Sequence, residues 1–395
     1  MVRRLAWLLV GVLCGGTATS QAKLEQTLWG SHGVTVIELP LTAELRLLRT
    51  TTTLQPLASL AGGIPIAING GFFNRITQRP LGALRWQGAW WSSPILGRGV
   101  FAWNAQGERR ITRLRWLGQV TTPNALPVPV VTLNSGYVVP GVAAYTHHWG
   151  SHYTTQSDEE WVVLINANRV AAIYPTLRAG SASFALTPQQ WLLTARTPLG
   201  WHLVQDLQVG SPVTWTEQMD PPDLQEFPHI LGAGPVLVAA GQVVVDPEGE
   251  GFQPAFARQR AARSALCLGD QLRLVTVGAS QASVGESVGV TLQELATLLQ
   301  QRGCREALNL DGGSSSALIW QGKVLRSGSL IHNGLAYGGV GVAKPRTVLL
   351  LSSQCRDTDT PTWCMIGVVA QNGFCGNLVQ LRGRTFRVCS WRVLA

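Results

Sequence analysis

At 395 residues, with 46% hydrophobic and 13% charged side chains, the chain can bury one large core or two ordinary ones, and its composition excludes a disordered protein. The formal net charge of +9 comes from scattered residues, mostly arginine, with no basic stripe or recognisable module, which argues against nucleic-acid binding. The 43 glycines point to turns and sheet rather than a helical bundle, and the 15 tryptophans read first as core and interface packing, with stacking on sugars as the alternative.

Along the chain, Arg3 and Arg4 precede the apolar run Leu5 to Leu13, and Ser20-Gln21-Ala22 supplies small residues for cleavage. That is the pattern of an export signal over residues 1–22, and its removal takes the formal charge from +9 to +7. Cys14 follows the bulky Leu13, a poor lipidation site. No later segment has the roughly 18 uninterrupted apolar residues of a membrane helix. The expected protein is therefore secreted or periplasmic, without a membrane span.

Val34–Leu39 and Ile64–Ile68 read as strands, the second running into Asn69-Gly70-Gly71. Val236–Ala239 and Gln242–Val245 flank Ala240-Gly241 as a hairpin, and Leu272–Val277 is a further strand. Thr291 and Glu294 form a capping box, Leu292, Leu295, Ala296 and Leu299 repeat at helical spacing, and Gly303 ends the helix. The strand Ala307–Leu310 leads to Asp311, and Ala317–Trp320 and Lys323–Leu325 form a hairpin around Gln321-Gly322. The fold class is α/β in the α+β sense: a mixed, sheet-rich single domain over residues 23–345 with few helices. A small cysteine-rich extension, residues 346–395, follows Pro345.

Without Cys14 six cysteines remain, an even number that implies disulfides in an oxidising compartment. Cys355, Cys364, Cys375 and Cys389 crowd the last 41 residues, and their spacing lacks the paired CxxC of a zinc site. Cys267 and Cys304 bond to each other if their segments are neighbours.

Two glycine-rich turns carry the candidate chemistry. Asn69-Gly70-Gly71-Phe72-Phe73 leaves a buried strand through a double glycine, which lets main-chain N–H groups approach a ligand while the phenylalanines anchor the loop. Asp311-Gly312-Gly313-Ser314 places a carboxylate at a strand end, suited to acid, base or metal-ligand work. Each alone could be a tight turn. The second is neither a phosphate-binding P-loop nor a nucleophile elbow, so Ser314, Ser315 and Ser316 read as turn and hydrogen-bonding residues. His147, His148 and His152 crowd together as an alternative metal site, whereas His229 and His332 stand alone.

Five motifs in order resemble the phosphodiester glycosidase family, which includes the "uncovering enzyme" that removes N-acetylglucosamine from a phosphodiester-linked mannose. They are Asn69-Gly70-Gly71-Phe72-Phe73, Tyr145 with His148-Trp149-Gly150, Gly232-Ala233-Gly234-Pro235, Ala262-Arg263-Ser264-Ala265 and Asn309-Leu310-Asp311-Gly312-Gly313-Ser314. The resemblance covers about residues 30 to 345 and implies hydrolysis of a sugar-1-phosphodiester in a glycan or envelope polymer. Carried over by position, it makes Asp311, Arg263 and Asn69 the catalytic candidates. Gly70, Gly71, Phe73, His148, Gly232, Gly234, Gly312, Gly313 and Ser314 become the substrate-binding ones.

A guanidinium at Arg263 suits phosphate, since it can hold two oxygens at once. A second carboxylate is not evident: Glu294 is committed to the capping box, while Glu286, in the loop Ser283–Gly289, could reach the site. The sequence shows no full ligand set for a cofactor, and a divalent cation such as calcium at Asp311 is an open alternative. The sequence departs from the family pattern at Ser314 and Cys267, where glycine is usual. A non-catalytic carbohydrate-binding or envelope-assembly module is the competing reading, and the cysteine-rich extension is a candidate for docking on the cell surface.

Overall fold

The computed structural model describes residues 22–50, 54–279 and 289–325, and beyond them only the strand segments 335–336, 338–342, 348–351, 365–368, 379–381, 384–386 and 388–389. The chain divides into two compact units, residues 1–342 and 343–395. In the second, Val348–Leu351 pairs with Met365–Val368, which pairs in parallel with Val388–Cys389, and Val379–Leu381 pairs with Arg384–Phe386. Residues 1–21 of the expected export signal, Glu286, His332, Cys355, Cys364 and Cys375 lie outside the described residues.

The first unit is built on a seven-stranded antiparallel sheet. Its spatial order is Lys23–Trp29, His32–Leu39, Leu272–Ala279, Arg263–Leu268, Glu306–Asn309, Val236–Ala239 and Gln242–Val243. Period-2 alternation divides its side chains between two cores. Val34, Val36, Ala265, Cys267, Val275, Val277 and Ala307 pack beneath the helix Leu292–Gln301, through Leu292, Leu295, Ala296 and Leu299. The residues between them, Ile37, Leu39, Leu266, Leu272, Leu274 and Leu308, form the opposite core with Ile68, Leu318 and Val340.

Ile68, Leu318 and Val340 belong to a five-stranded sheet in the order Lys323–Leu325, Leu318–Trp320, Ile66–Asn69, Gly338–Val342, Leu45–Arg49. Three further sheets, strands Leu84–Arg113 with His229–Gly232, Thr132–Leu133, Gly141–Tyr145, Glu160–Asn166 and Arg169–Leu177 with Gln190–Arg196, and Arg115–Val130 with Thr214–Asp220, enclose a separate core. Among the described residues α-helix is confined to Leu57–Ala61, Thr197–Val204, Pro254–Arg258 and Leu292–Gln301, and no helix is long and apolar enough to cross a membrane. The sheet-rich α+β expectation is met.

Each local expectation has a visible cause. Thr291 accepts from the Glu294 amide while the Glu294 carboxylate accepts from the Thr291 amide, completing the capping box, and Gly303 at φ +78° ends the helix. Gln321 and Gly322, both at positive φ, form the two-residue turn of the Leu318–Leu325 hairpin. The strand expected from Ile64 begins only at Ile66, because Leu57–Ala61 and its left-handed cap at Gly62 occupy the approach. Cys267 and Cys304 are joined by a disulfide that fastens the end of the helix to the central sheet.

Candidate active site

The two glycine-rich turns meet. Asn69 is fully buried at the end of its strand; its Nδ2 donates to the Asp311 carbonyl at 2.7 Å, and its Oδ1 accepts from the Ala317 amide at 3.1 Å. The Asp311 amide in turn donates to the Gly70 carbonyl at 2.9 Å. Asn69 is thus the clasp between two segments about 240 residues apart in sequence, a structural duty that the strand-end asparagine alone does not reveal.

The third motif joins them through Asn309. Its Nδ2 donates to the Gly234 carbonyl at 2.7 Å, and the Gly234 amide donates to the Asn309 carbonyl at 2.9 Å. Close approach explains the glycines. A Cβ on Gly71 would stand 2.0 Å from the Gly232 carbonyl oxygen, and one on Gly312 would stand 2.8 Å from that of Ala262. In both cases the obstacle is backbone and cannot swing aside. Gly313 adopts φ +60° inside the short turn Gly313–Ser315.

The main-chain donors are less free than the sequence implies. The Gly312 amide donates to Oδ1 of Asp311 at 3.0 Å, and the Gly313 amide donates to the Ala262 carbonyl at 2.7 Å. These amides organise the turn itself. For Gly70 and Gly71 no amide hydrogen bond appears among the described residues.

Burial pushes the Asp311 carboxyl up to about 6, against the opposing pull of a hydrogen bond from Ser315, the Gly312 amide, and the charges of Arg75 and Arg263. The sequence marks Ser315 only together with Ser314 and Ser316 as a hydrogen-bonding turn residue, and it does not single out Arg75. A run of three serines does not reveal which one turns inward, and Arg75 lies two residues beyond the motif. Ser314, the family departure, is exposed on the same turn.

Arg263 is buried, and burial pushes its guanidinium down to about 10 even with Asp311 nearby. Nε donates to Val290, and Nη2 donates to the carbonyls of Phe256 and Gln259. Nη1 lies 3.8 Å from where a Gly312 Cβ would stand and has no hydrogen-bond partner among the described residues. One edge of Arg263 therefore braces the loop, and the other faces the Asp311 turn.

Glu250, also unremarked in the sequence, is fully buried behind the third motif. It accepts from the amides of Gly99 and Val236 and from Arg113, and it would sit 2.8 Å from a Cβ on Gly234. Phe72 packs edge-on against Phe252 and Phe256, while Phe73 is partly buried against the central core and bridges to Pro80. The anchoring role of both rings is met.

His148 stands apart from this cluster. Its ring lies 4.3 Å from that of Trp91, over which Arg49 sits, and it lines a cavity that includes none of Asn69, Arg263 or Asp311. Burial, together with His147 and Arg49, pushes it down to about 4. His152 hydrogen-bonds with Ser151, and His229 packs against Trp86 and Trp103. Among the described residues no three His, Cys, Asp or Glu side chains gather as a metal site. The charged neighbours that act on Asp311, Arg75 and Arg263, are cationic, a setting that does not fit calcium.

The phosphodiester glycosidase family model matches residues 161–337, and the resemblance carried by the ordered motifs is borne out over that span. A hypothetical protein from Synechocystis is 35% identical, with a TM-score of 0.73 over 81% of this chain and 61% of that one. The chain thus spans 61% of the length of that relative. A protein from Burkholderia pseudomallei shares the fold at 19% identity and a TM-score of 0.64, over 79% of this chain and 74% of that one. The catalytic domain of zebrafish N-acetylglucosamine-1-phosphodiester alpha-N-acetylglucosaminidase aligns more loosely, at 13% identity and a TM-score of 0.43 over 82% of this chain and 83% of that one. No curated protein matches the sequence.

Proposed function

We propose that the protein is an exported hydrolase that cleaves the bond between a sugar's anomeric carbon and the phosphate of a sugar-1-phosphodiester in a glycan or envelope polymer. The observation that carries this reading is one carboxylate, Asp311, held on the joined turns within reach of the charges of Arg75 and Arg263. The family match over residues 161–337 supports it.

The arginines attract and hold an anionic diester, with the Gly70 and Gly71 amides as neighbouring donors. Asp311, ionised above its raised pKa, takes a proton from water as the water oxygen bonds to the anomeric carbon. The carbon–oxygen bond to phosphate breaks, its electron pair leaves with the phosphate, and the products are a reducing sugar and a phosphate monoester. A phosphate anion leaves without protonation, so the chemistry does not demand the second carboxylate of ordinary glycosidases.

Turnover of a panel of sugar-1-phosphodiesters, with and without chelator, tests this directly. Release of reducing sugar that persists in chelator and is abolished in Asp311→Asn is the expected result. Binding without turnover across the panel would instead support a non-catalytic carbohydrate-binding module. Export and surface docking through residues 346–395 belong to the same proposal; cell fractionation with and without that extension tests both.

A further inference from the structure

The cavity that His148 lines, of about 410 Å³, opens where three sheets of the first unit abut. Its walls include Trp90 from Ala89–Ser92, Trp191 from Gln190–Arg196 and Trp215 from Thr214–Asp220, with Glu217, His147 and His148 among them. The volume lies within the roughly 300–1,000 Å³ typical of small-ligand sites. None of Asn69, Gly70, Arg263 or Asp311 lines it.

The chemistry of the walls is selective. The rings of Trp191 and Trp215 stand 5.8 Å apart at 86°, so they present indole surfaces in two directions, as a corner does. Trp90 is committed to the core, and its Nε1 donates to Glu217 Oε1 at 3.1 Å. This fixes the carboxylate at the edge of an aromatic wall. Hydroxyl groups both donate and accept, and Glu217 accepts while the imidazoles of His147 and His148 do either.

An aromatic site with a carboxylate could also hold an organic cation. That demand is already met internally: Arg85 acts on the charge of Glu217 and lies 5.4 Å over the Trp90 ring. A phosphate would meet the like charge of the Glu217 carboxylate. What remains is a neutral molecule with one apolar face and a rim of hydroxyls.

We infer that this cavity is a binding site for a neutral sugar ring, stacked against Trp191 or Trp215 with its hydroxyls on Glu217 and the histidines, and separate from the Asp311 site. The inference does not depend on hydrolysis at Asp311; in a glycan substrate it would grip a sugar unit remote from the phosphodiester.

The full chain is titrated with methyl glucosides and with malto-, cello- and chito-trioses, followed by tryptophan fluorescence and saturation-transfer NMR. Glucose 1-phosphate and tetramethylammonium chloride serve as charged comparators. The expected result is saturable binding of at least one neutral saccharide at roughly millimolar Kd. Binding should persist in Asp311→Asn and weaken roughly tenfold in Trp191→Ala. Glu217→Gln keeps the side-chain volume and an acceptor for the Trp90 indole; its severalfold weakening reads the same site even where loss of Trp191 disturbs folding. The inference is overturned if no neutral saccharide saturates, if tetramethylammonium or the phosphate alone binds, or if Glu217→Gln and a folded Trp191→Ala bind like the parent.

Discussion

Replacing Asn69 with alanine removes the clasp between the two turns, and the cost follows from what is left unpaired. The Ala317 amide loses its acceptor at a position that is 1% exposed, and the Asp311 carbonyl, in a partly buried setting, loses its donor. An orphaned buried group costs about 1–3 kcal/mol, with the partly buried carbonyl at the low end, so the substitution should destabilise the unit by about 2–4 kcal/mol. Equilibrium urea unfolding reads this as a lower midpoint with an unchanged slope. Asn69→Asp keeps the acceptor for Ala317 but turns a second oxygen toward the Asp311 carbonyl, so it should be no better tolerated. If Asn69→Ala shifted stability by less than about 0.5 kcal/mol, the range of ordinary surface changes, the clasp would not hold the turns together.

Four other outcomes follow from the structure. With the Asp311 carboxyl pushed up to about 6 and acting as a base, kcat/KM should rise with pH through about 6 and then level; a profile falling through that pH would make it an acid instead. The same shift has a stability sign: between the ordinary carboxylate pKa and about 6 the folded state binds the extra proton, so Asp311 lowers stability as pH rises across that window, and Asp311→Asn should remove this slope. His148, pushed down to about 4, acts oppositely. The unfolded chain takes up its proton first, so stability is lost as pH falls from about 6.5 toward 4, and an imidazole NMR titration should find His148 neutral at pH 6. Cys304→Ser opens a bridge spanning 37 residues, a loss of about 4 kcal/mol by loop entropy, measurable as a lowered unfolding midpoint.

Much of the framework was legible in the sequence because its signals are local. The Thr291–Glu294 capping box, the Gln321-Gly322 turn and the alternation through Val34–Leu39 each specify a conformation from neighbouring residues alone. The Cys267–Cys304 bond was legible only as a conditional, since it needed the helix end to lie on the strand carrying Cys267. The glycines of the site were visible as turn residues, but the reasons for Gly71 and Gly312 lie in backbone from distant segments. For the same reason Arg75 and Glu250 escaped notice: a buried polar group is chosen by what faces it, and the run Glu248-Gly249-Glu250-Gly251 gives no hint that its second carboxylate receives three donors. His148 illustrates the converse, a residue placed at the site by resemblance that lines a different cavity.

In the proposed reaction water attacks carbon rather than phosphorus. Hydrolysis of a sugar-1-phosphodiester in water labelled with heavy oxygen, followed by mass spectrometry of both products, distinguishes the two. The label should appear in the anomeric hydroxyl of the released sugar, with the phosphate monoester unlabelled and the reaction abolished in Asp311→Asn. Label in the phosphate would make the protein a phosphodiesterase acting at phosphorus and would contradict the assignment of Asp311 as the base that directs water to the anomeric carbon.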